Sequence, residues 1–133
     1  MPLIVLMQIL ILDSTVFLEG ASDGLPEGAR VTIFEVAEEM KSGKAAIEFD
    51  KIQKMGLEII EPKEEFILAA KKLQEKTEDR VSTTDIRVIA LALQFKSREK
   101  EVSVVSDDYA VQNLCKREKI NFLPLSKKGI TRE

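Results

Sequence analysis

Residues 9–18 read Ile-Leu-Ile-Leu-Asp-Ser-Thr-Val-Phe-Leu, an apolar run that stops at an acid. The four aliphatic residues, continued backwards to Leu3, predict a strand buried on both faces, as in the interior of a parallel sheet. Asp13 follows at the carboxyl end of that strand, and Ser14 or Thr15 can cap a helix that begins at once. Because ligands bind at this edge of open α/β sheets, Asp13 is a candidate site residue. A helix cap is the alternative role for a lone Asp at this position.

Strand-like and helix-like segments alternate along the chain, which predicts an α/β fold with a central, mainly parallel sheet flanked by helices. The predicted strands cover residues 3–12, 29–31, 57–60, 102–105 and 121–125. The predicted helices cover residues 14–18, 33–42, 44–55, 62–77, 85–95 and 109–117. The helix over 85–95 is apolar on nearly every side, so we expect it to be central and buried. We assign residues 1–125 to one domain and residues 126–133 to a basic tail or the start of a linker.

The composition excludes several kinds of site. The chain has no histidine, which excludes Ser-His-Asp and Cys-His catalysis and histidine-rich zinc sites. Its single cysteine, Cys115, cannot form an internal disulfide, and the helical pattern around it predicts a buried, inert thiol. The apolar run near the N-terminus is too short to span a bilayer and lacks a basic start or a small-residue cleavage site. We therefore expect a cytoplasmic protein with no membrane partner.

The net charge leaves a nucleic-acid partner open. The 133 residues have a formal net charge of -3, yet residues 96–98, 116–119 and 127–132 are locally basic. If several acids cluster in one site, the rest of the surface is close to neutral.

Acidic residues occupy comparable positions in four segments. Asp13 and Asp107 each follow a buried strand, and Glu35 and Asp85 each lie in the first turn of a helix after a Thr or Ser. Because the carboxyl ends of parallel strands meet at one edge of a sheet, we expect all four acids at that edge.

Helix capping is the alternative interpretation of each acid taken alone. Thr32 with Glu35 matches the capping-box pattern, and Asp107 or Asp108 can cap the helix that follows. Capping by itself predicts a mixture of Ser, Thr, Asn and Asp, whereas this chain supplies a carboxylate each time. The joint pattern therefore favours a site.

Carboxylates that face one another without a cation repel and raise one another's pKa. A divalent ion removes that conflict. Oxygen ligands without His or Cys favour Mg²⁺ or Mn²⁺ over zinc. The chemistry that such a site indicates is phosphodiester hydrolysis by a metal-activated water.

Four stretches together resemble the PIN-domain ribonucleases. They are the segment around Asp13, the helix start at Glu35, Ser-Thr-Thr-Asp-Ile at residues 82–86, and Ser-Asp-Asp-Tyr-Ala-Val-Gln-Asn at residues 106–113. The last two are most similar to the archaeal Nob-type endonucleases, which trim the 3′ end of small-subunit ribosomal RNA. The resemblance covers almost the whole chain and implies a three-layer fold and a Mg²⁺- or Mn²⁺-dependent endoribonuclease.

The resemblance also implies roles for particular residues. The catalytic acids it implies are Asp13, Glu35, Asp85 and Asp107. The implied metal ligands are Asp13, Asp85, Asp107 and Asp108. Which member of the Asp107 and Asp108 pair faces the metal stays open at this point.

An RNA substrate also requires residues that contact its backbone. The candidates are Ser14, Thr84, Arg87 and Lys116, with Lys96, Arg98 and Arg117 as further basic residues. Long basic side chains on helices usually form a solvated face, which is the alternative for each of them.

Other functions remain as alternatives. A PIN-type toxin ribonuclease of a toxin–antitoxin pair would share the acids and the fold, and a non-catalytic RNA- or nucleotide-binding module would keep the fold without metal affinity. A haloacid dehalogenase-type phosphatase requires a second Asp two residues after the first, where Thr15 stands. A receiver-type signalling domain requires an acidic pair at the first strand, where Asp13 is alone.

One departure from the Nob-type pattern concerns partners and domains. Nob-type proteins carry a zinc ribbon after the PIN domain, and this chain contains no paired cysteines. We therefore expect either a domain of a longer protein or a single-domain relative. A homodimer is left open.

Overall fold

The computed structural model describes residues 8–78, 80–126 and 129–130. The strands are β1 (Ile9–Leu12), β2 (Ala29–Thr32), β3 (Glu58–Ile59), β4 (Val102–Val105), β5 (Asn121–Leu123), β6 (Leu125–Ser126) and β7 (Gly129–Ile130). The α-helices are α1 (Ser14–Leu18), α2 (Phe34–Glu39), α3 (Gly43–Lys54), α4 (Glu64–Gln74), α5 (Thr83–Ser97) and α6 (Tyr109–Arg117), and a short 3₁₀ helix covers Ser22–Gly24.

The main sheet has five strands in the order β3-β2-β1-β4-β5, and every neighbouring pair is parallel. In the centre of the sheet, Ile11 lies beside Val31 on one side and Val104 on the other. All four residues of β1 are buried, as expected for a strand covered on both faces. The predicted α/β fold with a mainly parallel central sheet is therefore confirmed.

Helices cover both faces of this sheet because the chain reverses direction across it. From β1 it moves outward to β2 and β3, and it then returns to β4 on the far side of β1. Right-handed crossovers place α1 to α3 on one face and α4 to α6 on the other. Consistent with this, α1 packs on α3, while α5 contacts both α4 and α6. The gap between β1 and β4 is thus the switch point of the sheet, where ligands of this architecture bind.

The helix α5 is central, as its apolar sequence predicts. Residues 88–92 on this helix are fully buried, and α5 contacts β1 and β4 as well as the neighbouring helices. Cys115 on α6 is also buried, and burial raises the pKa of its thiol to about 12. The predicted burial of the thiol is confirmed, and a raised pKa disfavours the reactive thiolate at neutral pH.

The predicted capping box at Thr32 is wrong. Helix α2 begins one residue later than predicted, with Ile33 as its N-cap, and Thr32 is the last residue of β2. The Thr32 hydroxyl instead donates to the carbonyl oxygen of Leu12 at 2.7 Å. A tertiary hydrogen bond between β2 and β1 has therefore replaced the local cap.

The C-terminal part differs from the predicted boundary. Strand β5 ends at Leu123, and Leu125–Ser126 pairs antiparallel with Gly129–Ile130. The proposed division at residue 125 stays a prediction, and residues 1–7, 127–128 and 131–133 lie outside the described residues. In the ranges that are described, no helix combines the length and hydropathy needed to cross a bilayer.

A glycine at the start of β2 provides a test of the fold. A Cβ at Gly28 would lie 2.7 Å from the carbonyl oxygen of Gln8, the group that accepts the first hydrogen bond between β1 and β2, from Ala29. We expect Gly28→Ala to lower the free energy of unfolding by about 2–3 kcal/mol, because the strands must separate locally.

Gly20 also has a positive φ, of +64°, but open space around it. The control Gly20→Ala should cost only about 1 kcal/mol. Urea unfolding measures both, and equal costs would contradict the close approach at Gly28.

Candidate active site

Asp13 is held rigidly at the carboxyl end of β1. Its backbone N–H donates to Val105 at the end of β4, and its side chain is 2% exposed. Carboxylate Oδ2 accepts a hydrogen bond of 2.6 Å from the Ser106 hydroxyl. Burial raises the pKa of Asp13 above its usual value, and the Ser106 hydrogen bond partly opposes that shift. The acid is therefore fixed in place and poorly solvated.

Ser106 organises this corner, although no role was predicted for it from the sequence. It is fully buried between β4 and α6. Besides donating to Asp13, its hydroxyl oxygen accepts from the Asp108 backbone N–H at 3.0 Å, and its carbonyl accepts from the Gln112 side-chain amide at 2.8 Å. A small hydroxyl residue between a buried strand and an acidic pair is the signal that could have identified it. Ser106 positions both Asp13 and the backbone of Asp108.

Asp85 enters the same corner from the first turn of α5. The Ser82 hydroxyl caps this helix by accepting from the Asp85 backbone N–H at 3.1 Å, which leaves the carboxylate free of the capping role. Burial, followed by the negative charges of Asp13 and Asp108, raises the pKa of Asp85 to about 6. Asp108 also raises the pKa of Asp13. The three carboxylates are thus close enough to repel one another.

An open cavity of about 860 Å³ lies between these acids. Its lining includes Asp13, Asp85 and Asp108, and also Ser14, Thr15 and Ser82. The segment between α4 and α5 adds Arg80, a basic side chain for which the sequence analysis gave no role. The cavity lies at the carboxyl edge of the sheet beside β1 and β4, as the strand order requires.

The two adjacent acids after β4 differ in the groups that they bind by hydrogen bonds. Asp108 lines the cavity and its Oδ1 accepts from the backbone N–H groups of Ala110 and Val111 at 2.8 and 3.3 Å, so it also caps α6. The Asp107 carboxylate is turned to the backbone N–H of Leu125, which donates to it at 2.8 Å. Asp107 is absent from the described lining of the cavity. The catalytic and metal roles predicted for Asp107 thus have no support from its position.

Glu35 is not brought to the cavity either. Its Oε2 lies 3.5 Å from Arg87 Nε, and the same guanidinium reaches Glu61 with Nη1 at 3.1 Å. Glu35 Oε1 is buried without a hydrogen-bond partner among the described residues. One turn later on α2, the Glu39 carboxylate accepts from the Thr84 hydroxyl at 3.0 Å, next to Asp85. Glu39 is therefore hydrogen-bonded to the first turn of α5, whereas Glu35, the acid that the sequence indicated, is paired with Arg87.

The predicted RNA contacts are placed at different distances from the cavity. Ser14 lines it, and Thr84 adjoins Asp85 but donates to Glu39. Arg87 forms ion pairs with Glu35 and Glu61. Lys116 is exposed in the last turn of α6, away from the acids. These RNA-binding roles stay predictions.

The acids do not form a compact ligand cluster as they stand. Over the described ranges, no three His, Cys, Asp or Glu side chains are arranged closely enough to hold one metal ion.

Comparisons with known proteins identify relatives of this chain. A family model described as the PIN domain of ribonuclease matches residues 10–95. The chain is 32% identical to the endoribonuclease Nob1 of Methanocaldococcus jannaschii, over 96% of this chain and 64% of the relative. It is 34% identical to the endoribonuclease Nob1 of Pyrococcus abyssi, over 91% of this chain and 70% of the relative.

A further relative is also named as a ribonuclease, but it is not a Nob1 protein. The chain is 29% identical to ribonuclease VapC1 of Thermoplasma acidophilum, over 98% of this chain and 65% of that protein. The chain thus spans between 64% and 70% of the length of these three relatives.

The raised pKa of Asp85, caused by burial and then by the charges of Asp13 and Asp108, predicts an unusual dependence of stability on pH in metal-free buffer. The folded protein keeps a proton on Asp85 up to about pH 6, whereas the unfolded chain releases it near the model value of 3.8. Since the folded state binds more protons in this window, stability falls as pH rises from about 4 to about 6. Asp85→Asn removes the effect and should raise the free energy of unfolding at pH 7 by about 1–2 kcal/mol, allowing for solvent screening.

The matched control is Glu64→Gln, which removes an exposed acid from the first turn of α4. It should leave stability nearly unchanged or slightly lower, because an acid at a helix start is favourable. Denaturant titrations in EDTA across this pH range measure both variants. A stability difference between wild type and Asp85→Asn that does not grow with pH would contradict the raised pKa of Asp85.

Proposed function

This chain belongs to the PIN-domain family of ribonucleases, and on that premise we propose that it is a Mg²⁺- or Mn²⁺-dependent endoribonuclease acting in the maturation of small-subunit ribosomal RNA. The ribonuclease part is supported by relatives named as endoribonucleases. The ribosomal part rests on the resemblance of residues 82–86 and 106–113 to Nob-type endonucleases.

The observation that carries the proposal is the convergence of Asp13, Asp85 and Asp108 on one open cavity. Burial, followed by repulsion from neighbouring carboxylates, raises the pKa of Asp13 and Asp85, so the metal-free site disfavours their ionised forms. The donors are carboxylate and hydroxyl oxygens, without histidine or thiolate, which is the ligand set that Mg²⁺ and Mn²⁺ prefer. The donor chemistry of these residues therefore fits a hard divalent cation, which would have to draw the carboxylates closer together than they stand among the described residues.

In this proposal Asp13, Asp85 and Asp108 hold the cation. Bound there, it would activate water for attack on phosphorus and stabilise the oxygen that leaves. Ser106 keeps Asp13 oriented through the buried 2.6 Å hydrogen bond, so this acid needs little rearrangement. Arg80, at the cavity wall, is placed to bind a phosphate of the substrate.

Glu39 is the proposed fourth acid in place of Glu35. The hydroxyl of Thr84, the residue before Asp85, donates to the Glu39 carboxylate, whereas Glu35 is paired with Arg87. An acid at this position can orient water or a water-linked cation from the α2 side. Glu39 is mostly exposed and can move toward the cavity without loss of core packing.

A toxin ribonuclease is the second candidate, and the similarity to ribonuclease VapC1 over 98% of this chain favours it. The two functions differ in substrate, since the catalytic acids would be shared. Incubation of the protein with a small-subunit ribosomal RNA precursor fragment and with unrelated structured RNAs separates them. Cleavage at one position of the precursor fragment supports the maturation role, and cleavage confined to the unrelated RNAs supports the toxin role.

The proposal predicts opposite effects of Asp13→Asn on stability and on activity. The variant keeps an oxygen that can accept from Ser106 but removes one repelling charge from the site. We expect the melting temperature in EDTA to be unchanged or raised. We expect Mn²⁺-dependent cleavage to fall by orders of magnitude, because a ligand of the cation is lost.

Asp23→Asn is the control for this substitution, since Asp23 is exposed and its ion pair within the described part of the chain is with Lys51, at 3.2 Å. It should leave the cleavage rate unchanged. Cleavage and melting are measured on the same preparations. An Asp13→Asn protein that melts early in EDTA yet cleaves RNA would show that Asp13 is structural and that the active site lies elsewhere.

A further inference from the structure

Helix α6 begins beside the cavity and runs away from it, with one side of the helix exposed to solvent. Val111, Leu114 and Cys115 are fully buried on its inner face. Its outer face carries Tyr109, Asn113, Lys116 and Arg117. Asn113 is four residues after Tyr109, and Lys116 and Arg117 are three and four residues after Asn113, spacings that bring side chains to the same side of a helix. Tyr109 is 82% exposed, the largest value among the exposed large hydrophobic residues of the described chain.

The position of Tyr109 links this face to the proposed active site. It directly follows Asp108, whose carboxylate lines the cavity and caps α6. An aromatic ring at the rim of a nuclease site offers a platform on which a base can stack, and every base has a face suited to it. The helix then carries the basic side chains of its last turn away from the cavity.

We propose that the outer face of α6 binds single-stranded RNA next to the cleavage site, with a base stacked on Tyr109 and phosphates bound by Lys116 and Arg117. The inference deepens the proposed endoribonuclease function and rests on it. From Tyr109 to Lys116 the helix rises roughly 10 Å. At about 3.4 Å per stacked nucleotide of one strand, this corresponds to about three nucleotides.

Charge favours this face over two of the other basic candidates, Arg87 and Lys96. Arg87 is held by Glu35 and Glu61, and the Lys96 ammonium donates to the carbonyl oxygens of Glu118 and Lys119 at 2.6 and 3.2 Å. Lys116 and Arg117 are exposed and make no ion pair within the ranges that the structure describes. Their positive charges are therefore available to a polyanion.

The chain carries a built-in reporter of this contact. Tyr109 is its only tyrosine, and it has no tryptophan, so tyrosine emission comes from Tyr109 alone. We expect a short single-stranded RNA to quench this emission in EDTA, where cleavage is blocked, in step with the rise in anisotropy of an end-labelled copy of the RNA. Free N-acetyl-tyrosinamide at the same RNA concentrations corrects for absorption by the RNA.

Variants separate stacking from charge. Tyr109→Ala should weaken binding roughly tenfold at constant salt and leave the salt dependence unchanged, and Tyr109→Phe should restore most of the affinity because it keeps a ring. The double variant Lys116→Gln with Arg117→Gln should instead reduce the salt slope by about 0.7 for each charge.

Helix α3, on the opposite face of the sheet, supplies both controls. Ile47→Ala removes a side chain that is 71% exposed, and Lys51→Gln with Lys54→Gln removes two basic residues from a last turn. Neither should change binding.

The outcomes distinguish this inference from the function on which it rests. If the wild-type protein binds and cleaves RNA while Tyr109 emission stays constant and Tyr109→Ala binds normally, the inference is overturned and the proposed function stands. If the wild-type protein neither binds nor cleaves any RNA tested, both are overturned. Quenching together with the two distinct variant effects would support the RNA-binding face.

Discussion

The hydrogen bond from the Ser106 hydroxyl to the Asp13 carboxylate connects the ends of the two strands on which the candidate site is built. It spans 93 positions of sequence and is fully buried, with a length of 2.6 Å. A hydrogen bond to a charged group at such a position contributes about 1.5–3 kcal/mol. The same Ser106 hydroxyl also accepts a hydrogen bond from the backbone N–H of Asp108 and so fixes the backbone there. One side chain thereby sets the position of two of the three acids and the start of α6.

The clustering of the site carboxylates lowers the stability of the folded protein when no cation is bound. Burial and neighbouring charges raise the pKa of both Asp13 and Asp85, so the metal-free protein carries carboxylates that are harder to ionise than those of its unfolded chain. The surrounding fold offsets this cost with a parallel sheet whose central strand is buried throughout and with the apolar helix α5. Local destabilisation in a stable scaffold is the usual condition of a functional site.

The sequence predicted the scaffold well because its signals are local. The continuous apolar residues of β1 and β4 and the apolar sequence of α5 identify buried elements without reference to the rest of the chain. The orientation of individual acids could not be predicted, since distant partners decide it. The backbone N–H of Leu125 binds the Asp107 carboxylate, and Arg87 pairs with Glu35. In the same way the carbonyl of Leu12 binds the Thr32 hydroxyl that the capping-box pattern assigned to α2.

We propose that Asp108, and not its neighbour Asp107, joins Asp13 and Asp85 in holding a divalent cation. Calorimetric titration of Mn²⁺ into wild-type protein, Asp108→Asn and Asp107→Asn at neutral pH tests it without RNA. Both variants keep an oxygen for the backbone N–H groups that the acids now bind. We predict that Asp108→Asn weakens Mn²⁺ binding by at least about tenfold, while Asp107→Asn binds as the wild type does. Loss of Mn²⁺ binding in Asp107→Asn with normal binding in Asp108→Asn would contradict the account.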